Sequence, residues 1–293
     1  DIEMTSLAVL VDGSACAWGS FAEAKREGPG KEKEVLSRVI QSIVAFSNVH
    51  LSLAQSNQLL LYAYANGIRK KLLYDSTRSD NPDSSACIIE GIRSALRQNS
   101  LSGDGRKCGV LAGTLATALC QIRKAFTGGS TKGEETISGQ KGRIVIISLL
   151  PDFGSQHSLL MNLFFSAHKH DISMDVVSLG GSSALLQQAA DITAGVFEAI
   201  ERVEDIPRVL MTRCLPVSIR NSTSLSTVDY RAACVCHETL VSIGYTCSVC
   251  LAVLCTIKLT CPSCSAQFTM KKIGPARKRK RQTEVGAVSS PKI

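Results

Sequence analysis

The side chains with the most chemical potential are gathered near the C-terminal end of the sequence. Seven of the twelve cysteines, Cys234, Cys236, Cys247, Cys250, Cys255, Cys261 and Cys264, fall between residues 234 and 264, with His237 among them. Two C-x-x-C pairs, Cys247/Cys250 and Cys261/Cys264, stand ten residues apart. Each pair can fold into a tight knuckle that aims both sulfurs at one point, and two knuckles supply four thiolates in a tetrahedron. Zn²⁺ prefers that arrangement because its filled d shell imposes no other, so the spacing reads as a structural zinc site. Cys234, Cys236, His237 and Cys255 remain; they are irregularly spaced and could make a second, interleaved site. A run of disulfides would need a secreted chain, and no signal peptide is evident at the start. Inert buried thiols would not repeat the C-x-x-C spacing.

Other chemistry is sparse. The stretch Asp12-Gly13-Ser14-Ala15-Cys16 resembles D-x-S-x-S, the metal-ion-dependent adhesion site of von Willebrand factor A domains, in which an Asp and two hydroxyls coordinate Mg²⁺. Mg²⁺ is a hard cation that wants oxygen ligands, and Cys16 is a soft substitute for the second hydroxyl. Thr114, after Gly113, fits the place of the usual later Thr. The further Asp expected just after a central strand is missing, since that stretch reads I-S-L-L-P-D-F and Asp152 comes late. These residues are expected to form a polar strand-to-helix turn without metal. No phosphate-binding or nucleophile-elbow motif is present. His50, His157, His168 and His170 are expected on helix surfaces or ends with no motif around them. No enzyme is expected.

The elements that must position these residues follow from hydrophobic pattern. Residues 6–12 form a continuous apolar run ending in an acid, as in a strand buried on both faces of a parallel sheet. A polar loop is expected from there through Gly28 and Gly30, then a helix from about Glu34 with Val35, Val39, Ile43 and Phe46 on one face. Strands are expected at 58–64 and 69–74, around a turn at Asn66-Gly67. A loop at 75–85 and helices at 86–98 and 109–126 come next. A low-complexity polar insert fills 127–142, before the most apolar strand at 143–150. A helix carrying Leu160 and Phe164, a strand at 174–179, a helix at 183–194, a short strand near 196–200 and a helix at 204–214 complete the series. Alternation of strand and helix predicts an α/β fold, a mostly parallel sheet flanked by helices. Ligands in such folds bind at the carboxyl ends of strands, so the loop after Asp12 is the first place to look.

Charge divides the chain unevenly. Residues 271–293 carry +7 of the formal +8, which leaves the first 270 residues at +1. A body so nearly neutral is not built to clamp DNA, whose phosphates need clustered Lys and Arg. No apolar run is long enough to span a bilayer. Cys16, Cys87, Cys108, Cys120 and Cys214 lie scattered along apolar segments, which suits small buried side chains in a reducing compartment. The boundaries expected are an α/β domain at 1–214, a Ser/Thr-rich linker at 215–229, a cysteine-rich zinc-binding domain at 230–270 and a disordered basic tail at 271–293. In that tail, P-A-R-K-R-K-R at 275–281 is expected to act as a nuclear-localisation signal.

Four stretches together carry a resemblance: L-A-V-L-V-D with Trp18-Gly19 at the start, A-L-L-Q-Q-A-A-D-I-T at 184–193, V-D-Y-R-A-A-C-V-C-H at 228–237 and I-G-Y-T-C-S-V-C at 243–250. Over about residues 6–270 the sequence resembles the smaller von Willebrand A-like subunit of the core of general transcription factor IIH. The resemblance implies a von Willebrand factor A-like fold and a non-catalytic scaffold in a nuclear complex that opens DNA for transcription initiation and nucleotide excision repair. It implies binding to a larger paralogous A-like subunit that bears zinc, and through it to the rest of the core with its helicases; contact with nucleic acid would be at most indirect. Zinc ligation carries over to Cys247, Cys250, Cys261 and Cys264. A RING-type ubiquitin ligase and a ligand-binding adhesion module are the alternatives. The C-x-C-H start and lone Cys255 match a regular eight-ligand cross-brace poorly, and the broken D-x-S-x-S weighs against adhesion.

Overall fold

A computed structural model describes residues 5–25, 32–68, 70–78, 83–102, 110–127, 141–150, 156–215, 228–237, 239–250 and 252–268. Cys108, Asp152, most of the 127–142 insert, most of the 215–229 linker and the basic tail with residues 275–281 lie outside them.

Strands β1 (Thr5–Asp12) and β4 (Lys141–Ser148) are apolar along nearly their whole length because parallel neighbours and helices cover both faces. With β2 (Gln58–Tyr64), β3 (Leu72–Asp75), β5 (Ile172–Ser178) and β6 (Phe197–Ala199) they form one sheet in the order β3-β2-β1-β4-β5-β6. All pairings are parallel except β2–β3, which is antiparallel with a register shift at Leu61/Tyr62. The Asn66-Gly67 turn sets up that reversal, Gly67 adopting a φ of 76° that other residues take up reluctantly.

Side chains alternate between the two faces. Leu7, Val9 and Val11 of β1 join a core with Trp18, Val39, Ile43, Phe46, Ile88, Ile206 and Leu210, which come from α1 (Ala15–Lys25), α2 (Glu32–Leu53), α3 (Ser84–Ser102) and α7 (Asp205–Arg213). Ala8 and Leu10 join the opposite core with Leu115, Ile122, Leu160, Phe164, Leu186 and Ala189, from α4 (Ala112–Thr127), α5 (His157–Lys169) and α6 (Ala184–Ile192). Each such aliphatic side chain, fully buried, contributes roughly 1.5–3 kcal/mol.

Three expectations need correction. Residues 15–25 are helix α1 rather than loop; small residues and Gly19 obscure its buried face, although Trp18, Phe21 and Ala22 fall at helical spacing. His50 is buried, 1% exposed, on the inner face of α2, and its Nε2 bonds the Gln58 carbonyl at 3.2 Å. Of the scattered cysteines, Cys214 is buried, but Cys16 and Cys120 are exposed and Cys87 is half-buried. No helix among the described residues is long and apolar enough to cross a membrane.

The cysteine-rich stretch has little regular structure. Strands β7 (Ala232–Ala233) and β8 (Leu240–Val241) pair antiparallel, as do β9 (Tyr245–Thr246) and β10 (Val253–Leu254), and Thr260 bridges to Gln267. Each of these three minimal hairpins closes around one knuckle.

Candidate metal centres and the sheet crevice

The three knuckles repeat one backbone pattern. The amides of Cys234, Cys247 and Cys261 donate to the carbonyls of Thr239, Ala252 and Ala266, each five residues on, each at 2.9 Å. Within each turn the first and fourth residues, Cys234/His237, Cys247/Cys250 and Cys261/Cys264, direct their ligand atoms inward. The second and third knuckles converge. All four sulfurs of Cys247, Cys250, Cys261 and Cys264 lie within 4.8 Å of one another, with Cys247 to Cys264 and Cys250 to Cys261 both at 3.7 Å. These separations are far beyond the roughly 2.05 Å of a disulfide, and all four cysteines are free.

The charges in this quartet oppose one another. The Cys250 backbone amide, outweighing burial, lowers the Cys247 thiol to about 6. Cys264 receives the Ala266 amide, yet its neighbours Cys250, Cys247 and Cys261 push it up to about 12. Four thiolates this close repel, so the fully ionised set is stable only around a cation. The quartet could hold a metal ion.

Cys234, His237 and Cys255 form a second group within 4.8 Å. His237 Nδ1 lies 3.2 Å from the Cys255 sulfur and 3.8 Å from that of Cys234. Cys236 stands outside this triangle and is hydrogen-bonded to Lys258. The interleaving follows chain order: first knuckle with Cys255, second knuckle with third.

At the carboxyl ends of the strands, Asp12 is 2% exposed. Its Oδ1 accepts the Ser14 amide at 2.9 Å and its Oδ2 the Leu149 amide at 3.4 Å, so the carboxylate ties the tip of β1 to the tip of β4. Burial outweighs the amides of Ser14, Leu149 and Leu150 and raises its pKa to about 6. Trp18 Nε1 donates to the Asp12 carbonyl at 2.6 Å, and Ser14 Oγ accepts the Ala17 amide at 3.4 Å, starting α1. Thr114 is fully buried and its hydroxyl makes no hydrogen bond among the described residues. Beside this turn lies a cavity of about 490 Å³, lined largely by apolar groups including Ala17, Phe21, Leu149, Leu179 and Ile200, with Cys16, Lys25 and Glu201 as its titratable residues. Gly180 lets the chain pass there, since a Cβ would sit 1.7 Å from the Leu149 carbonyl oxygen.

Nothing in the sequence pattern marks how the cysteine module attaches to the sheet domain. Asp229 is held on α6: its amide donates to Gln187 Oε1 at 3.1 Å and its carbonyl accepts Gln188 Nε2 at 2.7 Å. Tyr230 OH donates to Asp191.

A six-stranded, largely parallel sheet with one antiparallel edge, covered by helices on both faces and followed by a compact cysteine module, defines a von Willebrand factor A-like protein with a C-terminal metal-binding candidate. The family model described as transcription factor Tfb4 matches residues 4–265, and the chain belongs to that family. It is 30% identical over 305 residues to the general transcription and DNA repair factor IIH subunit TFB4 of Kluyveromyces lactis, covering 93% of this chain and 88% of that protein. To subunit tfb4 of Schizosaccharomyces pombe it is 28% identical over 284 residues, covering 90% and 89%. Among solved structures, the crystal structure of the TFIIH p34 N-terminal domain matches with a TM-score of 0.56 and 26% identity, over 71% of this chain and 96% of that one.

Proposed function

We propose that the chain is a non-catalytic structural subunit of the factor IIH core, acting in transcription initiation and nucleotide excision repair. Its A-like domain would dock the larger, zinc-bearing A-like subunit of the same complex and, through it, the rest of the core with its helicases. The observation that carries this reading is that one family match spans both the sheet and the cysteine module, residues 4–265. A shared A domain alone would account only for the first. Relatives named as factor IIH subunits do not favour the ubiquitin-ligase alternative.

The chemistry agrees with a binding role. Asp12 spends its oxygens on backbone amides, and the neighbouring cavity offers apolar walls without a paired nucleophile and base. A rigid sheet with such loops at one end suits protein contact. The metal in the quartet is Zn²⁺ on this reading. Sulfurs about 2.3 Å from a tetrahedral centre stand about 3.8 Å apart, and the two edges Cys247–Cys264 and Cys250–Cys261 are 3.7 Å. When bound, the ion supplies the cross-link that so small a module lacks in core. Location in the nucleus, helped by the basic run at 275–281, completes the reading.

Coexpression with the larger A-like subunit of the same organism tests it. The two chains should comigrate on a sizing column at micromolar concentration. Separate elution would overturn the docking role.

A further inference from the structure

We infer that the module binds a second Zn²⁺ through Cys234, His237 Nδ1 and Cys255, with Cys236 closing the fourth position. It rests on the zinc reading of the quartet only for the identity of the metal.

The first knuckle has the same backbone closure as the two that build the quartet, 2.9 Å from the Cys234 amide to the Thr239 carbonyl. A turn of that shape exists to aim its first and fourth side chains at one point, and here those are Cys234 and His237. Cys255 arrives from beyond β10 to meet them. A tetrahedral Zn²⁺ with sulfur at about 2.3 Å and nitrogen at about 2.05 Å sets sulfur and nitrogen about 3.6 Å apart. The distances from His237 Nδ1 to the two sulfurs, 3.2 and 3.8 Å, straddle that value. The first knuckle is also tied to β10, because the Val235 amide donates to the Val253 carbonyl at 2.9 Å.

The repeating first-and-fourth spacing would place the last ligand three residues after Cys255, and that residue is Lys258. An ammonium cannot ligate, but it can balance charge. Three thiolates and a neutral imidazole around Zn²⁺ carry a net single negative charge, which one lysine offsets. Lys258 lies within hydrogen-bond distance of the Cys236 sulfur. Cys236 also sits inside the first knuckle, between Cys234 and His237 in sequence and within the turn that the Cys234–Thr239 bond closes. Turning a cysteine between staggered χ1 rotamers moves its sulfur by roughly 3 Å, and such a turn is the movement that the fourth bond requires of Cys236. Among the described residues no other thiol serves, since the quartet is closed and Cys16, Cys87, Cys120 and Cys214 belong to the sheet domain.

Native mass spectrometry of the full chain, never exposed to chelator, should count two zinc ions. One ion would overturn the second site alone, and none would overturn the quartet as well. Cys255→Ala should bind one ion; retention of two would overturn the assignment. Alkylation of the wild-type chain keeps the test independent of whether variants fold. Exposed Cys16 and Cys120 should react with iodoacetamide at once, while Cys234, Cys236 and Cys255 resist until a chelator releases them together. If Cys236 reacts as fast as Cys16, it is not the fourth ligand.

Discussion

Gln188 and Asp229 hold each other across 41 residues of chain, Gln188 Nε2 donating to the Asp229 carbonyl at 2.7 Å. Gln187 accepts the Asp229 amide, and Asp191 accepts the Tyr230 hydroxyl. Two stretches far apart in sequence, 184–193 and 228–237, are thus the two sides of one contact. It fixes where the cysteine module leaves the sheet domain. Gln188 is buried, so truncating it strands the Asp229 carbonyl at a cost of about 1–3 kcal/mol.

Gln188→Ala should therefore loosen the junction without unfolding the sheet. Trypsin cleavage at Arg231, which directly follows this contact, should accelerate at least about five-fold, the equivalent of 1 kcal/mol. An unchanged cleavage rate would mean that the contact contributes nothing to holding the module.

The exit from the sheet domain depends on a second buried device. Arg143 Nη2 donates to Asp175 Oδ2 and to the Cys214 carbonyl, both at 2.6 Å, with the two side chains 3% and 0% exposed. Asp175 Oδ1 accepts the Val196 amide at 3.0 Å. Breaking such a pair from one side leaves a buried charge uncompensated, at about 3–5 kcal/mol. Asp175→Ala should lose that much in denaturant unfolding, while Arg143→Met combined with Asp175→Ala should lose less than the two single changes together. Additive losses would mean that the two side chains do not act as a pair.

Much of the fold was legible because buried parallel strands are nearly continuous apolar runs. The strand expected at 58–64 is Gln58–Tyr64, and that at 6–12 is Thr5–Asp12. Helix α1 was hidden because its composition is small and polar, and only Trp18, Phe21 and Ala22 mark its buried side. The quartet was legible because C-x-x-C is a local pattern. Cys255 was grouped with the first knuckle only as a leftover thiol, and the placing of Lys258 beside Cys236 was not foreseen, since both depend on which knuckle lies opposite. His50 looked like a surface histidine because α2 carries polar neighbours around it, yet it packs against the end of β2.

That burial gives two opposed pH effects. Burial, with the Arg143 charge adding to it against the Gln58 hydrogen bond, lowers His50 from 6.5 to about 4. Below pH 6.5 the unfolded chain takes up a proton that the fold refuses, so stability falls until about pH 4. Asp12 acts in the other direction. Its folded value of about 6 exceeds the ordinary 3.8, so its contribution is full below 3.8 and is lost as pH rises through 6. Between pH 4 and 6 the two largely offset each other. His50→Gln keeps a donor for the Gln58 carbonyl and removes the first effect. Relative to wild type, the variant should gain about 3 kcal/mol on going from pH 7 to pH 4. A difference between the two proteins that does not change with pH would refute the assignment.

Chelation should separate the two modules. The cysteine module buries few large side chains, and Ile243, Tyr245, Val249, Ile257 and Leu259 are all exposed. On the zinc reading a module with so little core is held by the bound ion, and removing that ion removes folding energy. Strong chelator should speed amide hydrogen exchange across 234–268 to unfolded rates while β1, β4 and β5 remain protected. Equal loss of protection in the strands would mean that the sheet domain depends on the module.

The strand-end turn gives the last test. In an adhesion-type site the carboxylate must turn its oxygens outward to an ion, whereas Asp12 accepts amides from its own turn and from the tip of β4. A hard cation would have to displace those donors and would still meet sulfur at residue 16. Calorimetric titration of the wild-type chain with Mg²⁺ should show no micromolar binding. The same should hold for Cys16→Ser, which restores the D-x-S-x-S pattern, because the amides rather than residue 16 occupy the carboxylate. If Cys16→Ser gains Mg²⁺ binding that Asp12→Ala then abolishes, the turn is an adhesion site disabled at one position and the backbone lock is not the cause.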